Sequence, residues 1–544
     1  MSTNFRMEMF APNQKYYGSA YIVNGSRKMD EPFSSFELDI ESKARIHQRF
    51  EIELNKEISK FATVDHMTMF GRPLWRLYAK RPYNKLRAFV RMKMLGGNNF
   101  FSAYDVYHAF TAVASRVCMD LCVNTEKSLQ FARETVDSHL RLLIGVDQEF
   151  RTFKTATPSE PVVADVAATL LVRNDGTTSE METWTACLHT LTSPLLGDGI
   201  IDKGTKGELF GRLLCILARD QLPDGLSANE DFRYSRPFKV EMFLNELLGY
   251  GTVNGLINRE IQRRPHSGAT PGMLPVWDEK FDFREGWCNF NHFTSTTKKL
   301  PLDRESLQNV IRRLLRRNAA LQLAPCHSDW DLLLPVYTGD VNKPILRDHL
   351  SAIFVQIQNQ MHPAKLTIVK KYRKCFRPNQ LGFCIQMEFG AGWKSPSTDM
   401  RWPSCKRSWN GSVRVSEPFV FGIQVFGADD RTFPFLAKYR RLGKACGNIV
   451  RTLTTKREYP DEQPVLEALK EFDMEELDAA ACSSGLGCGD RPGGGTGGTG
   501  GDDTVAGRME GGDGEGMEVG DGDRIGGRVG DDLPMSGMAY ELGG

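Results

Sequence analysis

The sequence predicts a multidomain chain: an α-helical middle region, an α/β domain with one mixed sheet, and a disordered tail. Three observations support this. Apolar residues recur every three or four positions through much of 61–254. Runs of branched and aromatic residues, typical of strands, follow one amphipathic helix between 281 and 480. The last residues, rich in Gly and Asp, contain too little apolar surface to build a core.

These changes of texture divide the 544 residues into five segments. We expect a polar N-terminal segment at 1–60, a helical domain at 61–254, a linker at 255–280, an α/β domain at 281–480 and a disordered acidic tail at 481–544.

The helical domain is predicted from two stretches above all. The stretch 159–171 has apolar residues at helical spacing. In 206–222 one apolar stripe is formed by Leu209, Leu213, Ile216 and Leu217. Arg212 and Arg219 fall off that stripe, so we expect them to lie outside it.

The α/β domain is predicted to begin with the helix "DRESLQNVIRRLLRR", for which Asp303 is a plausible N-cap. Its apolar positions form one face, of the kind that packs on a sheet: Leu307, Val310, Ile311, Leu314 and Leu315. Five strand-like runs follow: "ALQLAPC", "DLLLPVY", "SAIFVQIQ", "GFCIQMEFG" and "PFVFGIQVFG". One helix followed by several strands predicts one mixed sheet.

The net charge of +1 conceals an asymmetry between body and tail. From Ser483 to Gly544 there are 23 Gly, 12 acidic residues and 4 Arg among 62 residues, which gives this segment a charge of −8. The rest of the chain therefore carries +9. A basic body is compatible with a polyanionic partner.

Targeting and cysteine patterns favour an intracellular protein, in the nucleus or cytoplasm. The N-terminus lacks the apolar core of a signal peptide, and no apolar run approaches the length of a membrane span. The twelve cysteines include no CxxC pair, so we expect neither a zinc site nor a disulfide framework.

The candidate site lies on two neighbouring strand-like runs. Asp331 opens the first, and Gln356 and Gln358 alternate near the end of the second. An acid facing a polar-x-polar pair is the layout of a metal-dependent nuclease, in which Mg²⁺ stabilises the transferring phosphoryl group. We therefore expect Asp331 and Glu305 to bind Mg²⁺, with Gln356 completing the site. Gln358 stands where such a site would have a lysine, so one transition-state charge is absent.

Three basic groups make DNA or RNA the expected partner, because cations with aromatic residues among them suit phosphate contact and base stacking. Their candidate residues are Arg312, Arg313, Arg316 and Arg317; Lys370, Lys371 and Arg373; and Lys438, Arg440 and Arg441. More commonly, such arginines form the solvent-exposed face of an amphipathic helix without binding a phosphate.

"DLLLPV" followed by "SAIFVQIQN" resembles the restriction-endonuclease-like PD-(D/E)xK domain at the C-terminal end of Crinkler-type proteins, especially the expanded fungal versions. In this chain the corresponding positions are Asp331, Pro335, Val336, Val355, Gln356 and Asn359, with Gln358 in place of the lysine. Upstream, "FGRPLW", "SEPVVADVAA" and "IDKGTKGELFGRLL" are similar to the stretch that precedes such domains, so the resemblance covers roughly 65–450.

The resemblance implies a nuclease fold, and usually a P-loop ATPase ahead of it. This chain contains no G-x-x-x-x-G-K-[ST], so ATP binding by that route is not expected. We expect a protein that binds nucleic acid with weak or absent phosphodiester cleavage. Two alternatives stay open: an active Mg²⁺-dependent nuclease, or a non-enzymatic interaction protein that partners a separate ATPase.

Overall fold

The structure is a computed structural model. It describes residues 38–39, 56–123, 125–146, 153–172, 181–192, 200, 206–222, 232–250, 252, 255–256, 286–296, 299–300, 303–324, 330–358, 362–363, 366, 381–401, 405–407, 413–415 and 419–446. The predicted tail and nearly all of the predicted linker lie outside these residues, as does most of the predicted N-terminal segment.

Most of the helices precede the main strands. They are α1 (Val64–Met67), α2 (Tyr83–Met94), α3 (Val106–Val117), α4 (Glu126–Ser138), α5 (Pro161–Leu171), α6 (Glu182–Leu191), α7 (Lys206–Asp220), α8 (Val240–Leu248), α9 (Arg304–Arg317) and α10 (Phe435–Lys438). Short 3-10 helices occur at Ile58–Phe61, Pro73–Tyr78, Arg233–Ser235 and Arg347–His349.

The strands belong to one large sheet and two small hairpins. They are β1 (Leu142–Val146), β2 (Phe153–Ala156), β3 (Phe238–Lys239), β4 (Trp287–Cys288), β5 (His292–Ser295), β6 (Ala319–Gln322), β7 (Leu332–Tyr337), β8 (Leu350–Gln358), β9 (Leu381–Glu388), β10 (Lys394–Arg401), β11 (Cys405–Arg407), β12 (Val413–Val415) and β13 (Phe419–Phe426).

Among the described residues, nine strands form the large mixed sheet, in the order β10-β13-β9-β8-β7-β4-β3, with β6 beside β7 and β5 beside β6. Strands β6, β7 and β8 pair antiparallel in succession. Strands β8, β9 and β13 are parallel, so their carboxyl ends meet at one edge of the sheet. The predicted mixed sheet is therefore present.

Both faces of the central strands are buried, which explains their almost continuous apolar sequence. Along β8, Ile353 and Val355 belong to the core that also contains helices α3, α6, α7 and α8. Ala352 and Phe354 alternate with them and belong to a second core beneath α9. We call these two sides of the sheet the α7 face and the α9 face.

The predicted helical and α/β domains share one hydrophobic core. That core runs from Ala109 on α3 through the strands to Cys446, and Met1–Ser484 forms one compact unit. Residues 485–544 lie outside the described residues. Because the helices cover the α7 face of the sheet, experiments on this protein require the full chain.

The strongest local patterns give the expected elements. All five strand-like runs contain strands of the large sheet. Asp303 caps α9, since its carboxylate accepts a hydrogen bond from the Ser306 N–H at 2.8 Å. The predicted apolar face of α9 is buried on the sheet.

Helix α7 buries its polar side as well as its apolar stripe. The expected stripe is buried, but Arg212 and Arg219 are buried as well. Arg212 donates to the Cys118 carbonyl at 3.1 Å, and Arg219 donates to the Arg233 carbonyl at 3.1 Å and lies over the Phe238 ring. Helix α7 is enclosed on several sides, so its polar face also needs partners inside the protein.

Candidate functional site

The carboxyl ends of β8, β9 and β13 carry a set of polar side chains on the α9 face. Gln356 is in register with Gln386, and Gln386 with Gln424. Two residues further along the strands, on the same face of the sheet, Gln358 is in register with Glu388. We call these five residues the glutamine cluster. Neighbouring strands lie about 4.8 Å apart, so side chains in register are close enough to contact one another. Ligand sites in α/β sheets commonly lie at such carboxyl ends.

Glu388 lies at the centre of the glutamine cluster and is completely buried. Its Oε1 accepts hydrogen bonds from the amides of Gln386 and, at 3.3 Å, Gln424. Burial raises the pKa of Glu388, although both hydrogen bonds act in the opposite direction. The carboxyl group thus has a stronger tendency to hold a proton than an exposed glutamate.

Two oxygen atoms of the glutamine cluster are buried without a hydrogen-bond partner among the described residues. They are Oε1 of Gln358 and Oε2 of Glu388. Because both are acceptors on residues in register, this part of the cluster could receive a hydrogen-bond donor.

Asp331 lies beside Gln356, at the start of β7. Its backbone N–H donates to the Val355 carbonyl at 2.9 Å, and its Oδ2 accepts from the Ile357 N–H at 2.5 Å. These bonds reach the backbone of the residues on either side of Gln356, so the predicted acid lies beside the strand at the position of the predicted glutamine. Burial raises the pKa of Asp331 to about 7; the Ile357 hydrogen bond opposes the rise, and the Glu208 charge adds to it.

The sequence prediction missed Glu208, an acid near Asp331. Glu208 is in the first turn of α7, and its Oε2 accepts a hydrogen bond from the Gln322 amide of β6 at 2.9 Å. Its charge acts on Asp331, so α7 rather than α9 supplies the second carboxyl of this region. The available signal was its place in "KGELFGRLL", immediately after a turn-rich stretch.

The structure does not bring Glu305 to Asp331. Glu305 forms an exposed ion pair with Arg347, 3.1 Å away, and Arg347 precedes the first residue of β8. Gln356 lies six residues further along that strand, a distance of about 20 Å. The first turn of α9 therefore lies at the wrong end of β8 to share a metal ion with Asp331.

The donor set does not fit a resident Mg²⁺ ion well. No group of three or more His, Cys, Asp or Glu residues in the part of the chain described here is placed to hold a metal. Asp331 already accepts a backbone hydrogen bond, and its raised pKa leaves it partly protonated near neutral pH. Gln358, at the position where the predicted nuclease pattern has a lysine, carries no positive charge. We therefore derive no catalytic step through a metal.

The arginines of α9 are divided between surface and interior. Arg316 is buried, and Arg317 pairs with Asp39, donates to the Ser159 carbonyl at 2.7 Å and lies over the Phe70 ring. These contacts use Arg317 to join α9 to other parts of the fold rather than to a phosphate.

Arg312 and Arg313 are half-buried and keep access to solvent. Burial, together with the charges of Arg347, Arg316 and Arg313, lowers the pKa of Arg312 to about 10. Neighbouring cations therefore surround Arg312 with positive potential, and these two residues stay candidates for phosphate contact.

The other two basic groups differ in what can be said of them. Lys370, Lys371 and Arg373 lie outside the described residues. Lys438, Arg440 and Arg441 are exposed in the segment that packs on the α7 face. Lys438 pairs with Glu246 at 2.8 Å and Arg441 with Glu182 at 4.0 Å, so acids partly neutralise this group. It lies across the sheet from the glutamine cluster.

A second polar cluster lies in the interior and resembles a catalytic triad. The Ser159 Oγ is 2.7 Å from His292 Nε2, and His292 Nδ1 is 2.5 Å from Asn291 Oδ1. All three residues are buried, and burial lowers the pKa of His292 to about 3. A serine enclosed in this way cannot meet a macromolecular substrate, so the cluster is structural.

Comparisons with known proteins do not identify the chain. No protein-family model, curated protein or solved structure matches it. Within the described residues, no helix is long and apolar enough to cross a membrane.

Proposed function

We propose that this protein binds nucleic acid through a nuclease-like α/β body that has weak or absent phosphodiester cleavage. The observation that carries the proposal is the position of Asp331, hydrogen-bonded to both neighbours of Gln356 at the carboxyl ends of parallel strands. The antiparallel succession β6-β7-β8 followed by the parallel β9 supports it, because the resemblance to Crinkler-type PD-(D/E)xK domains implies a mixed sheet carrying these residues.

Weak cleavage is proposed because two requirements of phosphoryl transfer are unmet. Removing one charge that stabilises the transition state commonly costs about 3 kcal/mol, or roughly a hundredfold in rate. Here Gln358 replaces that charge, and Asp331 is partly neutral near pH 7. Binding does not need either feature, since phosphate contacts come from solvent-accessible cations, for which Arg312 and Arg313 stay candidates.

The test is a binding and cleavage experiment on the full chain. Labelled single-stranded and duplex DNA and RNA are titrated by fluorescence anisotropy at several salt concentrations. We expect affinity to fall steeply with added salt, because binding to phosphates releases counterions. Absence of binding at low salt, or an affinity independent of salt, would contradict the proposal.

Cleavage is measured on the same substrates with Mg²⁺ or Mn²⁺. The wild type should cut slowly or not at all, and Gln358→Lys should raise the rate by ten- to a hundredfold. Asp331→Ala in the Gln358→Lys background is the matched control and should abolish that gain. Fast cutting by the wild type would favour an active nuclease, and nicking that survives Asp331→Ala would come from a contaminant.

A further inference from the structure

A basic surface that the function above does not use lies on α2. Between residues 66 and 104 the sequence contains eight Lys or Arg and no Asp or Glu. Two of the eight have acidic partners outside the stretch: Arg72 pairs with Glu160, and Arg76 with Asp65 at 2.7 Å. The other six are on α2 or in the residues just before it.

The packing of α2 decides which of these cations reach solvent. Tyr83, Leu86, Val90 and Met94 form its buried face, in a core shared with α5. The opposite side is exposed and carries Lys85, Arg87 and Arg91, and Lys80 and Arg81 are exposed immediately before the helix. We call these five cations the α2 basic face.

Part of the α2 basic face carries charge in positions that do not favour the helix, although Arg91 lies in the last turn, where a cation favours the helix dipole. Arg87 and Arg91 are four residues apart, where like charges repel. Lys85 is in the first turn, where a cation opposes the helix dipole. No acid occurs within the stretch to offset either effect. The Arg87 guanidinium lies over the Tyr83 ring, 5.9 Å from its centroid, which offsets part of this cost. Charges that weaken their own helix are expected at functional surfaces.

The chemistry of this surface favours nucleic acid over a lipid bilayer. The side chains between the cations of α2, Asn84 and Ala88, are small or polar, and the large exposed apolar side chains of this part of the chain, such as Leu77, lie outside the helix. Beyond the helix, Phe100 and Tyr104 are 87% and 83% exposed. Exposed aromatic rings that follow a basic helix along the chain are candidates for stacking with unpaired bases.

We propose that the α2 basic face binds the phosphodiester backbone of single-stranded nucleic acid, with Phe100 and Tyr104 stacking on its bases. This inference depends on the proposed function for the nature of the ligand, but it assigns binding to a different surface. Arg317, Lys438 and Arg441 pair with acids, and Arg312 and Arg313 are half-buried, whereas the α2 basic face presents five exposed cations together.

The experiment compares two triple variants of the full chain that change the net charge equally. One is Lys85→Glu, Arg87→Glu and Arg91→Glu; the other is Lys438→Glu, Arg440→Glu and Arg441→Glu. Affinity for single-stranded DNA and RNA is measured by anisotropy against salt concentration. The α2 variant should weaken binding about thirtyfold and lower the log–log salt slope by about 2, since each phosphate contact contributes about 0.7. The 438–441 variant should weaken binding less than threefold.

The outcomes separate this inference from the proposed function. If the wild type binds no nucleic acid, both fail. If it binds and the 438–441 variant loses as much affinity as the α2 variant, or more, the proposed function stands and the α2 assignment is overturned. Thermal unfolding verifies that each variant is folded; if the α2 triple variant is not, the neutral pair Arg87→Gln and Arg91→Gln replaces it and should still weaken binding at least fivefold.

Two further measurements address the kind of ligand. Phe100→Ala with Tyr104→Ala should weaken single-strand binding at least fivefold and leave duplex binding within twofold; equal losses would overturn the stacking role. Co-sedimentation with vesicles of phosphatidylcholine and phosphatidylserine should recover no protein at physiological salt. One outcome would overturn the proposed ligand: the wild type binds vesicles, and the α2 triple variant loses vesicle binding but keeps the wild-type affinity for nucleic acid.

Discussion

Helices α2 and α9 have similar numbers of cations, but the fold uses them differently. On α9, Arg316 is buried and Arg317 contacts Asp39 and the Ser159 carbonyl. On α2, Lys85, Arg87 and Arg91 are exposed in a stretch without acids. The difference teaches that a basic helix indicates a polyanion-binding surface only when its cations remain at the surface and lack acidic partners.

The largest expected effect is on stability at α9. Arg317→Ala should lower the free energy of unfolding by about 3 kcal/mol, because it leaves Asp39 and the Ser159 carbonyl without their partner. Arg91→Ala, the matched change on α2, should alter it by less than about 0.5 kcal/mol. Urea denaturation of both variants measures the difference, and equal losses would break the comparison between the helices.

The next effect concerns Asp331, whose ionisation is disfavoured by burial in the folded protein. Its folded-state pKa of about 7 lies above its ordinary value of 3.8, so the native state holds the proton more tightly than the unfolded chain. The wild type should therefore lose stability as pH rises from about 4 to about 7. Asp331→Asn cannot ionise and keeps an acceptor for the Ile357 N–H. Above pH 7 the free energy of unfolding of Asp331→Asn should exceed that of the wild type by about 2 kcal/mol. This value is reduced to allow for partial solvation of the carboxyl.

Urea denaturation of this pair at pH 4 and pH 8 measures the change. The advantage of Asp331→Asn should be small at pH 4 and full at pH 8. An advantage that does not depend on pH would mean that Asp331 has an ordinary pKa in the folded protein, and that its carboxylate is available as a charged ligand after all.

A smaller gain is expected from Glu388→Gln at pH 8. The amide oxygen can accept the hydrogen bonds from Gln386 and Gln424, and the new N–H₂ group can donate to the unpartnered Oε1 of Gln358. Removing a buried charge and satisfying a buried acceptor should stabilise the protein by about 1 kcal/mol. Thermal unfolding at pH 8 measures the gain; a loss of that size would show that Glu388 needs its charge.

The smallest effect tests whether α2 carries unfavourable charge. Arg87→Glu replaces a repulsive pair with an attractive Glu–Arg pair four residues apart, which should stabilise the protein by about 0.3 kcal/mol while weakening nucleic-acid binding. Arg87→Gln is the control: it removes the repulsion between Arg87 and Arg91 without creating the attractive pair. A clear loss of stability would instead point to the contact of Arg87 with the Tyr83 ring, 5.9 Å away.

Local pattern predicted the elements well and their assembly less well. The sequence showed the strands β7, β8, β9 and β13 as nearly continuous apolar runs, because both of their faces are buried. It showed the apolar face of α9 as apolar residues at helical spacing, because only one side of that helix is buried. The shared core of helices and sheet was not recognisable, since Ile357 on β8 and Gly211 on α7 meet although 146 positions separate them. Nothing local marks that contact.

The candidate site follows the same division. Asp331 and Gln356 could be paired from sequence, because adjacent antiparallel strands place such positions together. Glu208 and Glu388 could not, since one belongs to a distant helix and the other to the next parallel strand. Glu305 was expected at the site as a carboxylate in the first turn of the Arg-rich helix α9, and its ion pair with Arg347 places it elsewhere.

The sequence by itself determined the strands, the amphipathic helices and an excess of positive charge in the body, because these depend on residue type and local spacing. Only the tertiary structure decided which charges stay exposed. Burial and partners from distant segments fix whether an arginine supports the fold, as Arg317 does, or faces the solvent, as Arg91 does. Electrostatic role depends on surroundings in three dimensions, and those surroundings are set by chain packing.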